Sequence, residues 1–151
     1  MTSKILRYLL ITVIIFLALS GLFGSISLIV DSSGSNLQLS IYLLESTIFN
    51  NYLLPGIILL LFLGLFPCFV AYGLITKKRI KVANRLNIYK KRYWAWTFSL
   101  YCGIILILWI DIQVMLLGGG YPLQTIYALL GVLIIILTLT PYVTRFYKKK
   151  K

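Results

Sequence analysis

Thr76-Lys-Lys-Arg-Ile-Lys-Val-Ala-Asn-Arg-Leu-Asn-Ile-Tyr-Lys-Lys-Arg92 is the stretch that decides the fold. Eight of the 15 Lys and Arg residues lie in it: Lys77, Lys78, Arg79, Lys81, Arg85, Lys90, Lys91 and Arg92. Long apolar runs flank it on both sides. Lys and Arg resist translocation, so a short basic loop between apolar spans stays in the cytoplasm. That assignment orients every segment before and after it.

Outward from this loop, apolar runs predict spans at about residues 8–30, 53–75, 93–117 and 123–143, each about 20 residues or longer and so able to cross the hydrocarbon core. The chain is 60% hydrophobic with a mean hydropathy of +0.96, beyond the usual apolar share of a soluble domain. Residues 1–151 therefore read as a single four-helix membrane domain. Ala18-Leu19-Ser20 loosely resembles a signal cleavage site, yet the apolar run continues to Val30, so an uncleaved first span is expected. Ser20-x-x-x-Gly24 lets another helix approach closely. In the second span, Pro55 sits harmlessly in the first turn, whereas Gly64 and Pro67 lie mid-span. A mid-span proline frees a carbonyl and bends the helix, and in a membrane that carbonyl needs a new neighbour.

The outer loop, 31–52, opens on the turn sequence Asp31-Ser32-Ser33-Gly34-Ser35-Asn36. Leu37 to Ser40 alternates as a short strand does, and Ile41 to Phe49 reads as a short amphipathic helix on the membrane surface. After the basic loop, Tyr93-Trp94-Ala95-Trp96 reads as an aromatic belt at the inner interface. Gly118-Gly119-Gly120-Tyr121-Pro122 makes a tight outer turn, Pro141 marks the end of the fourth span, and Arg145 with Lys148 to Lys151 forms a basic tail. Charge tests the scheme. Two bases at the N-terminus, eight in the loop and five in the tail put all 15 inside, while Asp31, Glu45 and Asp111 fall on or near the outer side. The expected fold is thus an all-α four-transmembrane-helix bundle whose outer loop carries a short amphipathic helix. It sits in the cell (inner) membrane as a multi-pass protein with both termini cytoplasmic.

Composition also excludes chemistries. With no His, imidazole metal sites and His-based acid–base catalysis are impossible. Cys68 and Cys102 lie inside spans without a CxxC pattern and read as small buried apolar residues. No nucleophile–base pair, phosphate loop or metal cluster is recognisable, so neither an enzyme nor a cofactor is expected. The net charge of +12 sits at the cytoplasmic ends of spans, which points to anionic lipid headgroups rather than nucleic acid. Lys77, Lys78, Arg79 and Lys81 are the expected lipid contacts.

Candidate binding residues come from the outer ends of the third and fourth spans. Trp109 and Gln113, four apart, share one helix side, while Asp111, two residues from Gln113, points nearly the opposite way. Asp111 lies 19 residues after Arg92, about 28 Å along a helix, close to the outer interface. Gln124 and Tyr127 share a stripe with Ala128 and Gly131. The outer turn brings Gln113 and Gln124 near one another, so Trp109, Gln113, Gln124 and Tyr127 form the candidate pocket. Plain hydrogen bonding between the two helices is the simpler alternative.

Asp31-Ser-Ser-Gly34, Leu43-Leu44-Glu45-Ser46-Thr-Ile-Phe49, Tyr52-Leu-Leu-Pro55-Gly56, Trp94-Ala95-Trp96, Trp109-Ile110-x-x-Gln113-Val114, Gln124-x-x-Tyr127-x-x-x-Gly131 and Pro141-x-Val143 run in order along most of the chain. Together they resemble a pattern in a family of small uncharacterised bacterial four-span membrane proteins. This sequence departs from that pattern at Ser32 and Thr47-Ile48, where the family has proline. The resemblance implies the four-span fold and no assigned activity, and it places weight on the Gln113 and Gln124 faces.

Two functions are expected on these grounds. The first is a non-enzymatic binding or accessory protein that holds a lipid-like ligand or a membrane-protein partner under its outer loop. The second is a small transporter or channel for a cation or small metabolite, working as a homo-oligomer. A continuous polar path through the bundle favours transport, and an apolar outer pocket favours binding.

Overall fold

The computed structural model describes residues 2–45, 47–117, 119 and 121–149. It contains six helices among those residues: α1 (Thr2–Val30), α2 (Leu53–Thr76), α3 (Lys81–Leu86), α4 (Trp94–Leu117), α5 (Pro122–Leu139) and α6 (Pro141–Phe146). α1, α2, α4 and α5 are long and apolar enough to cross a membrane. The protein is an all-α four-helix membrane bundle. α1 packs on α2 and α5, and α4 packs on the same two, so the four spans close into a ring.

Glycines set how closely the spans approach. A Cβ on Gly103 would lie 2.8 Å from the Gly131 carbonyl oxygen, and one on Gly131 would lie 3.0 Å from that of Gly103. α4 and α5 therefore cross with their backbones in contact, the usual device where lipid offers no hydrophobic drive for helix association. α2 departs from α geometry at a π turn, Leu60–Leu65, just before Pro67. Pro67 has no N–H to return to the Leu63 carbonyl. That carbonyl oxygen instead faces α1, where a Cβ on Gly21 would sit 2.0 Å from it. Only glycine fits there. The small residues of α1 that meet α2 are Gly21 and Gly24, while Ser20 bonds back to its own helix at the Leu17 carbonyl.

Each long run ends for a local reason. Lys77 adopts a left-handed conformation and closes α2 by donating its N–H to the Gly73 carbonyl. α5 stops at Leu139, short of the expected 143, because Pro141 drives Thr140 to an extended ψ of 132°. α6 then turns under the bundle, and the Arg7 guanidinium sits 4.3 Å from the Phe146 ring centroid. Residues near both ends of the chain thus meet at the end that carries the basic loop, the basic end of the bundle.

The outer loop is less helical than its pattern suggests. Ile41 to Phe49 yields one 3-10 turn, Ile41–Leu44, and Leu37 falls in another, Ser35–Leu37, rather than in a strand. The loop is tied too tightly for a longer helix: Tyr52 donates its N–H to the Ser32 carbonyl at 2.9 Å and its hydroxyl to the Ser40 carbonyl at 2.8 Å. Leu44 and Tyr52 are buried against Leu28 in a small second core. Of the Gly118–Pro122 turn, Gly118 and Gly120 lie outside the described residues.

Candidate functional site

The candidate site is a cavity of about 490 Å³ at the outer-loop end of the bundle. Leu28 of α1 and Leu39, Leu44, Thr47, Phe49 and Tyr52 of the loop line its loop end. Pro55, Ile58, Leu59 and Phe62 of α2 form one side, and Ile105, Leu108, Trp109, Ile112, Gln113 and Leu116 of α4 the other. The π turn matters here. It lies between Leu59 and Phe66, so Phe62 reaches the cavity from within the disturbed turn.

Beside the indole N–H of Trp109, the walls carry polar side-chain groups at three residues. The Tyr52 hydroxyl is engaged with Ser40, and burial raises its pKa, with the Tyr121 phenol adding in the same direction. The Thr47 hydroxyl donates to the Leu44 carbonyl at 2.9 Å and accepts from the Phe49 N–H at 3.1 Å. Gln113 is half-buried, and among the described residues its side-chain amide has no hydrogen-bond partner. It offers two donors and an acceptor at the edge of an apolar volume. A cavity of this size, greasy with one free polar group, is the form a small-molecule site usually takes.

The four candidate residues divide. Trp109 and Gln113 line the cavity, as their shared helix side requires. Gln124 and Tyr127 are not among its lining residues. Gln124 has a buried side-chain oxygen without a partner, and no hydrogen bond joins it to Gln113 among the described residues. Tyr127 packs half-buried against the main core. Asp111 is exposed on the outside of α4, away from the cavity. No family model, curated protein or solved structure matches this chain.

The loop and α2 walls lie beyond the reach of the sequence patterns. Their signal is present in the apolar Leu39, Leu44 and Phe49 and in Tyr52-x-x-Pro55, but the sequence does not say that Tyr52 ties the loop down over the α2–α4 gap. Among the described residues, no group of three or more His, Cys, Asp and Glu converges as a metal site.

At the basic end the four expected lipid contacts also divide. The Lys77 ammonium is 3.3 Å from the Phe146 ring centroid, a cation–π contact within the protein. Lys78, Arg79 and Lys81 are exposed. Trp94 and Trp96, expected as a belt facing headgroups, are core residues at 1% and 4% exposure. Each indole N–H finds a carbonyl: Trp94 donates to Lys78 at 2.8 Å and Trp96 to Thr138 at 2.9 Å. Asn87, fully buried in what reads as a solvated loop, accepts from the Thr97 hydroxyl at 2.6 Å and donates to the Arg92 carbonyl at 2.9 Å.

Proposed function

We propose that this protein is a non-enzymatic binding or accessory protein of the bacterial inner membrane that holds a lipid-like ligand in the outer cavity. The observation that carries this reading is the apolar cavity of about 490 Å³ with, at its wall, a Gln113 amide that has no partner among the described residues. An acyl or isoprenoid chain would fill the volume between Leu28, Phe62 and Trp109, and an ester, carbonyl or hydroxyl group would meet Gln113. Apolar walls favour such a ligand over a hydrated cation or a polar metabolite, whose desolvation they would not offset.

Native mass spectrometry of the gently purified protein tests the reading. The wild type is expected to carry a bound lipid-sized mass that Gln113→Leu and Trp109→Ala lose, with expression unchanged. Absence of any such mass from the wild type, together with ion or solute flux in proteoliposomes, would replace binding with transport by a homo-oligomer. Orientation is tested separately: a cysteine at Gln38 should label from outside intact cells, and one at Arg85 only after permeabilisation. External labelling at Arg85 would invert the topology. In this orientation the exposed Lys78, Arg79 and Lys81 lie against the anionic headgroups of the inner leaflet, each contributing about 1 kcal/mol.

A further inference from the structure

The seam between α2 and α4 is closed along its basic half and open along its loop half. Over Phe66–Thr76, α2 packs on α4, and aromatic rings fill the join: Phe69 stacks on Trp94 with ring centroids 4.6 Å apart, and Phe66 meets Phe98 at 5.6 Å. Leu53–Leu59 packs on α1 instead. Glycines hold it there: a Cβ on Gly56 would lie 3.0 Å from the Leu28 Cβ, and one on Gly64 3.0 Å from a Leu22 methyl carbon. The π turn Leu60–Leu65 lies where one arrangement gives way to the other. On its loop side the outer cavity occupies the gap between α2 and α4.

That gap opens to the side. Phe62, Leu108 and Ile112 line the cavity and are nonetheless 49%, 55% and 48% exposed. The lining residues at the loop end are covered: Leu28, Leu44 and Tyr52 are buried, and Leu39, Thr47 and Phe49 half-buried. The open side therefore faces the hydrocarbon rather than the loop. Phe62 lies nine residues beyond Leu53, about 14 Å down the helix and so roughly halfway through the ~30 Å hydrocarbon core. The mouth thus spans one leaflet, the one on the loop side.

Charge at this end has one sign. Among the described residues the loop end carries Asp31, Glu45 and Asp111 and no Lys or Arg. Glu45 follows the lining residue Leu44, Asp111 precedes the lining residue Ile112, and both acids are exposed. A net-anionic headgroup at this end meets only like charge, whereas an ammonium is attracted. Gln113 lies four residues before the end of α4, just below the headgroup level and at the depth of a lipid's ester bonds. We propose that the outer cavity takes one acyl chain of a phospholipid from the loop-side leaflet, admitted sideways between Phe62, Leu108 and Ile112, and selects an amine-bearing zwitterionic headgroup over an anionic one. A volume of about 490 Å³ suits a single chain, so the second chain stays in the bilayer. This route and this preference rest on the outer cavity being a ligand site.

The test reads Trp109 fluorescence of the full chain in neutral detergent micelles titrated with lipid brominated on its chains, since bromine quenches an indole it touches. The Trp109 signal is the difference between wild type and Trp109→Phe. Anionic lipid gathered at the basic end, near Trp94 and about 22 Å along α4 from Trp109, does not enter that difference. Brominated phosphatidylethanolamine should reach half-quenching at an about fivefold lower mole fraction than brominated phosphatidylglycerol, the effect of roughly one interfacial charge. Leu108→Phe/Ile112→Phe narrows the mouth from two exposed positions and should lose most of the quenching. Ile104→Phe/Met115→Phe, also exposed on α4 but outside the cavity lining, should keep it. Equal half-quenching fractions, or a preference for phosphatidylglycerol, would overturn the headgroup assignment. Equal quenching in the two double variants would overturn the lateral mouth. If the mouth variant fails to fold, Ile112→Phe alone carries the same comparison. A bound lipid mass in native mass spectrometry alongside either of those failures leaves the cavity reading standing, whereas no bound mass and no saturable quenching would overturn both.

Discussion

At the basic end, Trp94, Trp96, Asn87 and Tyr147 are enclosed, and each places a polar hydrogen on a backbone carbonyl, that of another segment for all but Asn87. At the outer end, Trp109 and Gln113 face a cavity, and among the described residues the Gln113 amide has no hydrogen-bond partner and a buried oxygen of Gln124 has none either. The difference teaches where stability and adaptability reside. Buried polar groups are costly unless paired, and a fully paired set holds its segments in one arrangement. The basic end meets that requirement at these four residues, with partners from α2, α5 and the basic loop, and leaves one buried atom, the Arg7 Nε, without a partner among the described residues. The outer end leaves the requirement open for something else to meet.

Mutations can break this contrast. The largest effect is expected from Trp94→Ala, which removes a fully buried indole and leaves the Lys78 carbonyl without its donor. A loss of about 3–5 kcal/mol is typical for such a change, read as a fall in melting temperature in detergent. Trp109→Ala is the matched change at the other end; it enlarges an existing cavity and should cost less, within the roughly 0.5–3 kcal/mol of ordinary substitutions. Equal losses would erase the distinction between the ends. Next comes Asn87→Ala, which strands the Thr97 hydroxyl and the Arg92 carbonyl. It should cost about 1–3 kcal/mol and increase protease cleavage in the basic loop. Gln113→Leu should change stability by no more than about 0.5 kcal/mol, since no protein hydrogen bond is lost.

The smallest effect is confined to the outer turn. Asp31 accepts from the Ser33 hydroxyl at 2.6 Å and from the Asn36 N–H at 2.9 Å, and these bonds, the Ser33 hydroxyl first, hold its carboxyl below the ordinary carboxylate range. A lowered folded-state pKa means that the turn's stabilisation is complete above the unfolded value near 4 and is lost as pH falls below it. Hydrogen exchange at the Ser33 and Asn36 amides should therefore show less protection at pH 3 than at pH 6, an effect that Asp31→Asn removes. Unchanged protection would show that backbone geometry alone holds the turn.

Much of the bundle was legible because membrane crossing demands long apolar runs and Lys and Arg collect at one end. The Ser20-x-x-x-Gly24 spacing marked one close helix contact, made in the fold by Gly21 and Gly24, while the Gly103–Gly131 crossing carried no such mark. The use of polar residues was hidden. Asn87 and Thr97 sit in or beside a basic loop and look solvated, yet they pair with each other in the core. Trp94 and Trp96 look like interfacial anchors, but their N–H groups reach carbonyls 16 and 42 residues away in the chain. Such partners are set by tertiary approach, which periodicity does not encode. The candidate site shows the same limit. Helical spacing placed Trp109 and Gln113 on one face, while the loop and α2 walls depend on Tyr52 closing over them.

The π turn of α2 carries one residue more than α geometry needs, and the wide turn absorbs it. The two halves of the span therefore share one phase, although one more residue separates them than a uniform helix would use. Removing a residue between Leu60 and Leu65 would let that turn relax to α geometry while Ile58, Leu59 and Gly56 keep their faces. The same deletion in a regular part of the span would instead rotate one half against the other by about 100°. The π turn is thus the place in α2 where length can change without a change of face.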